Sequence, residues 1–197
     1  MTVHPYPDQG PADWLKKHYW SRFAVRGPQS FAQYARLRFT PDPQCDGQPY
    51  ADLEAVEGPA EIWQLGIIVD MLAQHTSTPQ ECFYAIWSGW SGLNAHGAAT
   101  FAIPGRSYSL FRGTAHCLPH DPTYPYADET KDWQLPIPTL IWPSDHAWFI
   151  TNDLDPHFAT IGASEAAIAT LLTDTDTDSR IDIVVDKCPE HEPPYYG

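Results

Sequence analysis

The hydrophobic and polar positions along the chain predict two main helices. Apolar residues recur every three or four positions between Pro59 and His75, and a proline suits the first position of a helix. A second helix is predicted over EAAIATLL (165–172), with Ser164 as its N-terminal cap and with its end at the acidic run that follows. One or two further helical turns are predicted over 13–20.

Strands are predicted where apolar and polar residues alternate, or where aromatic and β-branched residues crowd together without a helical period. The segments with these features are 31–39, 81–90, 106–113, 146–155, 158–163 and 180–186. The turn Asp155-Pro156-His157 joins two of them into a hairpin. The order of the elements therefore predicts an α+β fold, in which an antiparallel or mixed sheet packs against two main helices.

Prolines and glycines divide the chain into short elements and predict one long loop. The chain has 20 prolines and 12 glycines among 197 residues, a length that suits a single domain with one core. The segment 114–138 is predicted to be a long proline-rich loop, and loops of this length are often functional. We therefore expect one domain over 1–197, with flexible tails at 1–12 and 187–197.

The charge of the chain restricts its partners. Lys and Arg number 11 against 25 Asp and Glu, so the formal net charge is −14. A negative surface repels nucleic-acid phosphates and anionic lipid headgroups, so direct nucleic-acid or membrane binding is not expected. The same surface would attract a basic protein partner, although a high net charge also serves solubility by itself.

Two further features predict a cytoplasmic location. No apolar run approaches the roughly 20 residues of a membrane helix, and the N-terminus has neither the basic nor the apolar region of a signal peptide. Four cysteines without a secretion signal are typical of free thiols in a reducing compartment.

Two C-x-x-H units predict a candidate zinc site. Cys117 and His120 form one unit, and Cys188 and His191 form the other, which together would supply two thiolates and two imidazoles. Random placement of these residue types would give roughly 0.2 such units in a chain of this composition. Neither spacing matches a standard zinc finger, so ordinary thiols and exposed histidines are the alternative, and no other cofactor is expected.

The segment WPSDHAW (142–148) is a candidate for a polar pocket. It places Asp145 beside His146, with Trp142 and Trp148 as aromatic walls around them. Adjacent residues of an extended chain point to opposite faces, however, so a structural turn that leads into a buried strand is the alternative.

Two carboxylates and several tryptophans form a second candidate. Asp153 and Asp155 share a strand face, which suits a cation or a side chain of a basic partner, although solvated carboxylates at a strand end are the simpler interpretation. Arginines are scarce, and Arg36, Arg106 and Arg112 are each expected in an internal ion pair and not as a clamp for a substrate. The candidate binding residues are Trp87, Trp90, Arg106, Trp142, Asp145, His146, Trp148, Asp153 and Asp155.

Four segments in this order resemble a family of uncharacterised actinobacterial proteins. They are HTSTPQECFYAIWSGW (75–90), RSYSLFRG (106–113), IWPSDHAWFITNDLD (141–155) and IGASEAAIATLL (161–172), and the likeness spans about residues 31–173. The resemblance implies no activity, and His146 stands where an arginine is expected in such proteins. The late hairpin and helix have a looser likeness in architecture to SMI1/KNR4-type immunity proteins.

No recognisable catalytic motif occurs in the sequence. The run SGWSG (88–92) lacks the G-x-S-x-G pattern of a serine hydrolase, and the Walker, G-x-G-x-x-G and H-E-x-x-H patterns do not occur. We therefore expect no catalytic residues, and the leading hypothesis is an acidic protein that binds and neutralises a basic partner. The alternatives are an enzyme or small-ligand binder with a pocket between the tryptophan-rich strands and the loop 114–138, or a structural or phage-type component.

Overall fold

The described part of the chain contains nine strands and three α-helices. The computed structural model describes residues 3–18, 22–49, 60–119, 135–175 and 181–186. The strands are β1 (His4–Pro5), β2 (Gln33–Arg38), β3 (Cys82–Trp87), β4 (Thr100–Ile103), β5 (Arg106–Gly113), β6 (Leu140–Pro143), β7 (Phe149–Thr151), β8 (Phe158–Ala163) and β9 (Ile183–Asp186). The helices are α1 (Phe23–Arg26), α2 (Glu61–Leu72) and α3 (Glu165–Thr175), and 3₁₀ turns cover Gly10–His18 and Ala73–His75.

All of these strands belong to one antiparallel sheet. Their order across the sheet is β1-β5-β3-β6-β7-β8-β2-β9, and β4 also pairs with β5. Strand β2, from the first quarter of the chain, lies between the late strands β8 and β9. The predicted α+β fold is confirmed, and every strand pair in the described part is antiparallel.

The main core lies between one face of the sheet and the two longer helices. Helix α2 buries apolar residues at three- to four-residue spacing against this face, as predicted, and α3 packs beside it. The predicted helix cap is confirmed, because Ser164 Oγ accepts a hydrogen bond from the Ala167 backbone N–H at 3.2 Å. Among the described residues, no helix combines the length and apolar character that crossing a bilayer requires.

The N-terminal segment covers the other face of the sheet. Its first 3₁₀ turn and α1 pack there on an aromatic core around Trp142. Residues 4–5 pair with β5 as strand β1, and Ala12 is buried. The segment 1–12, predicted as a flexible tail, is therefore packed against the sheet where the structure describes it. The tail predicted at 187–197 lies outside the described residues.

The predicted loop 114–138 is described at its two ends. After β5, residues 114–119 lie close to α2, where a Cβ at Gly66 would be 2.3 Å from the carbonyl oxygen of Pro119, so this approach requires a glycine. Residues 135–138 lead into β6, which starts at the opposite end of the sheet. The strands on either side of this segment therefore end and begin at opposite ends of the sheet, and its middle part, 120–134, lies outside the described residues.

Several predicted strands differ in extent from the observed ones. Strands β5 and β8 coincide with the predicted segments 106–113 and 158–163. The predicted strand 146–155 shortens to β7, because its first residues belong to a turn and its last residues leave the sheet. The sequence patterns do not predict β4 or β6, which have four residues each.

Candidate functional site

The antiparallel order of the strands separates the predicted binding residues into two groups. Strand β3 ends and β5 begins at one end of the sheet, where the chain also leaves β7, so Trp87, Arg106 and Asp153 lie at this end. The turn between β6 and β7, within residues 142–148, lies at the opposite end. The sequence candidates therefore form two distinct clusters and not one pocket.

At the first end, Arg106 connects two carboxylates to a tryptophan ring. Its Nη2 lies 3.1 Å from Asp153 Oδ2 and 3.1 Å from Asp155 Oδ2, and its Cζ lies 5.7 Å from the ring centre of Trp87. Burial by itself would lower the pKa of Arg106, but the hydrogen bond and charge of Asp153 and the charge of Asp155 raise it. The guanidinium therefore stays ionised and, as predicted, takes part in an internal ion pair.

Trp87 in turn contacts Trp90, which follows β3 in a tight turn. Their ring centres are 6.2 Å apart, with an interplanar angle of 73°, an edge-to-face arrangement. A Cβ at Gly89 would lie 2.2 Å from the Trp87 ring, so glycine at this position lets the ring fold back across the turn. The Trp90 ring thus packs against Trp87 on one side, while part of Trp90 faces solvent.

These residues form a surface that is both apolar and charged. Among the described residues, the exposed large hydrophobic side chains are Trp90, at 39%, and Leu154, at 38%. The Asp155 side chain, next to Leu154, is 86% exposed. We call the set Trp87, Trp90, Arg106, Leu154 and Asp155 the Trp90 patch. Leu154 was not among the sequence candidates, because only the structure shows that this apolar residue faces outward.

Asp153 lies beneath the patch and serves as its anchor. Its side chain is 5% exposed, and its Oδ2 pairs with Arg106. Its Oδ1 is buried and has no hydrogen-bond partner in the part of the chain that the structure describes. Asp153 and Asp155 were predicted to share a face, and they do meet on one guanidinium, but they differ in role, since Asp155 faces solvent and Asp153 does not.

At the opposite end of the sheet, Asp145 joins two loops. Its carboxylate accepts hydrogen bonds from Thr76 Oγ1 at 2.7 Å, from the Ser77 backbone and hydroxyl at 2.7 Å each, and from the Ala147 backbone N–H at 3.1 Å. Partial burial by itself would raise the pKa of Asp145, but the hydrogen bonds from Thr76 and Ser77 lower it to about 2. With both oxygens occupied, Asp145 fits the structural turn that the sequence left as the alternative.

His146 takes no part in the hydrogen bonds of Asp145, and its ring stacks on the N-terminal segment. It adopts a φ of 57°, in the left-handed region that is uncommon for residues other than glycine. Its ring lies 4.1 Å from that of Trp14, with an interplanar angle of 16°. Burial lowers the pKa of His146. Asp145 and His146 therefore have separate partners and do not form a dyad.

Trp142 and Trp148 do not form the aromatic walls that the sequence predicts around this turn. Both are fully buried, and they belong to the cores on opposite faces of the sheet. The Trp142 ring stacks on that of Phe149, with ring centres 5.8 Å apart, and its centre lies 5.7 Å from that of Phe83. Trp148 directly precedes Phe149, which lies in the same core as Trp142, and successive residues of an extended chain point to opposite faces of the sheet.

Only one residue of the predicted zinc site lies in the described part of the chain. Cys117 is buried beside Tyr84, whose hydroxyl donates to the Thr114 carbonyl oxygen at 2.7 Å. Burial raises the pKa of Cys117, which opposes the thiolate form that zinc needs. No group of three or more His, Cys, Asp or Glu side chains is placed to hold a metal ion within the described ranges. Because His120, Cys188 and His191 lie outside those ranges, the zinc site stays a prediction.

A cluster that sequence reasoning missed surrounds Asp42, in the turn after β2. Its carboxylate meets Arg36 Nη1 at 2.7 Å, Arg38 Nη1 at 3.0 Å and His157 Nε2 at 2.9 Å. Burial opposes ionisation of Asp42, but hydrogen bonds from Arg36 and His157 outweigh it and hold the pKa well below its usual range. The alternation of Arg36 and Arg38 was the available signal, and the expected internal ion pair of Arg36 is confirmed.

Comparison of the chain with models of protein families, with curated proteins and with solved structures finds no match. The functional inference therefore rests on the residues themselves. Of the clusters above, those around Asp145 and Asp42 have their charges satisfied internally. The Trp90 patch differs, since it presents an indole, an alkyl side chain and a carboxylate to solvent beside the Arg106 ion pair.

Proposed function

We propose that this protein binds a basic protein partner through the Trp90 patch and neutralises it. The observation that carries the proposal is that the exposed Trp90 is linked through Trp87 and Arg106 to the exposed Asp155. Leu154, the other exposed large hydrophobic side chain of the described part, is the chain neighbour of Asp155. Tryptophan and arginine dominate the residues that supply most of the binding energy in protein interfaces. An exposed apolar patch with a polar border is typical of such surfaces.

The internal contacts of the patch support the proposal. Arg106 is held by two carboxylates and covers Trp87, which in turn supports Trp90. Side chains that are already ordered lose less conformational entropy when a partner binds. The patch can therefore bind a partner with a smaller loss of conformational entropy than a surface of mobile side chains.

The charge of the chain supports a basic partner. At −14, the protein produces a negative field that speeds encounter with a positive surface and slows encounter with an acidic one. A neutralising role of the immunity type follows if the basic surface is the working surface of a toxin or enzyme. We place this interaction in the cytoplasm, since Cys45 is exposed and forms no disulfide with the other cysteines of the described ranges, which fits a reducing compartment.

Site-specific photo-crosslinking in the cells that make the protein tests this proposal. A photoreactive residue at Ser91, beside Trp90, should form covalent adducts with a protein of high isoelectric point. The same photoreactive residue at Thr173, an exposed position of α3, is the matched control and should give none.

Binding of the captured protein is then measured by calorimetry. We expect affinity to fall steeply as salt rises, because exposed charges are screened over a Debye length of about 8 Å at physiological ionic strength. Adducts that form equally from both positions, an acidic partner, or an affinity independent of salt would each contradict the proposal.

A further inference from the structure

We infer that the Trp90 patch recognises an arginine-containing segment of its partner, with the indole of Trp90 and the carboxylate of Asp155 as the receiving groups. This inference rests on the proposed function and specifies the chemistry of the partner. It is carried by an arrangement that the protein already contains, in which one of its own arginines occupies the neighbouring position.

That internal arrangement is the one formed by Arg106. Its guanidinium lies over the Trp87 ring, with its Cζ 5.7 Å from the ring centre, and pairs with Asp153 and Asp155. An aromatic face and a carboxylate together satisfy both the flat surfaces and the edge N–H groups of a guanidinium. The patch thus shows which ligand its residue types accept.

The same two kinds of group continue outward from Arg106 toward solvent. The ring centre of Trp90 lies 6.2 Å from that of Trp87, and Trp90 is 39% exposed, so part of this residue is accessible to a ligand. Asp155 is 86% exposed, and in the described part of the chain only its Oδ2 has a partner, which leaves Oδ1 able to accept from a second cation. A ring and a carboxylate are therefore available beside a filled example of the same pair.

Arginine fits these groups better than lysine does. Its guanidinium is planar, is less strongly hydrated than an ammonium group and can stack on an indole while it donates to a carboxylate. Lysine would have to give up more of its hydration at an exposed site for a contact without shape complementarity. A second copy of this chain is a poor occupant, because two bodies of charge −14 repel each other.

Two synthetic peptides, identical except that every basic position is arginine in one and lysine in the other, test the inference with the full-length protein. Fluorescence anisotropy of the labelled peptides gives both affinities at the same salt concentration. We expect the arginine peptide to bind more tightly by at most about two- to fivefold, which is the full contribution of a cation on an exposed ring. Trp90→Ala should remove this ratio, and Trp90→Phe should keep part of it.

Charge controls separate the carboxylate from the general field. Asp155→Asn should weaken binding of the arginine peptide more than Glu165→Gln, which removes the same charge from the exposed first turn of α3. Equal urea midpoints of the variants and the wild type would show that the exposed substitutions leave the fold intact.

The outcomes distinguish this inference from the proposed function. Salt-sensitive binding of both peptides with equal affinity, unchanged in Trp90→Ala, would overturn the choice of arginine and leave binding of a basic partner standing. Absence of binding by either peptide would also overturn it. Failure of the crosslinking at Ser91, in contrast, would count against the proposed function itself.

Discussion

Replacement of Asp145 by asparagine tests whether this residue is structural, as its hydrogen bonds indicate. The carboxylate accepts from Thr76, Ser77 and Ala147, and so ties the loop after α2 to the turn between β6 and β7. An asparagine keeps one acceptor oxygen, but its amide nitrogen would direct N–H groups at positions where neighbouring groups also donate. The substitution therefore removes the charge and opposes donor to donor, with almost no change in volume.

The structure sets the size of the expected effect. A fall in the pKa of Asp145 from 3.8 to about 2 corresponds to at most about 2.4 kcal/mol in favour of the ionised folded state. Asp145 is exposed, so solvent screening reduces this value. We expect Asp145→Asn to lower the free energy of unfolding at neutral pH by about 1 kcal/mol.

The pH dependence follows from the direction of the shift. Because the pKa is lower in the folded state, the stabilisation is complete above the ordinary value of 3.8 and is lost as the pH falls toward about 2. The difference in stability between the wild type and Asp145→Asn should therefore shrink across this window.

Urea denaturation, followed by tryptophan fluorescence at a series of pH values, measures this difference. Asp13→Asn is the control, because Asp13 pairs with Lys16 at 2.6 Å with both side chains more than half exposed, and its loss should cost at most about 0.5 kcal/mol. Equal urea midpoints for the wild type and Asp145→Asn at neutral pH, or a difference that stays constant down to pH 2, would refute the reasoning.

Two other predictions concern packing and thiol chemistry. Gly66→Ala should lower the free energy of unfolding by about 1–3 kcal/mol despite the better helix propensity of alanine, because the new Cβ would lie 2.3 Å from the Pro119 carbonyl oxygen. Urea midpoints measure this loss. The control Gly10→Ala should show no such loss, because the nearest atoms there belong to a flexible side chain. Alkylation of the native protein should modify the exposed Cys45 well before the buried Cys82, whose pKa is raised by burial to about 12, and peptide mass spectrometry that found equal rates would contradict this.

Local patterns were sufficient for elements whose apolar residues either recur with a helical period or are concentrated in one short run. Helix α2 and strands β5 and β8 carry that signal within their own residues, and their predicted and observed extents agree closely. Strands β1 and β6 are short, contain proline and owe their conformation to strands far away in sequence. Their formation depends on pairing, which the pattern of one segment does not contain.

The candidate site shows the same division between local and distant information. Residue types suggested that Arg106 would pair internally and that Asp153 and Asp155 would share a face. Their meeting on one guanidinium depends on the order of β5, β3, β6 and β7 across the sheet, which local periodicity does not determine. Two partners of Asp145, Ser77 and Thr76, lie 68 and 69 positions earlier, so its structural role was equally hidden.

The placement of β2 has a consequence for how the protein is made. This early strand pairs with β8 on one side and β9 on the other, so its first partner strand is complete only when the ribosome has reached Ala163, and its second only at Asp186. The segment that covers the second face waits as well, since its aromatic neighbours come from β3, β6 and β7. The apolar residues of the N-terminal segment therefore lack their native contacts during most of translation. Until those contacts form, either a chaperone covers these residues or they stay exposed to aggregation.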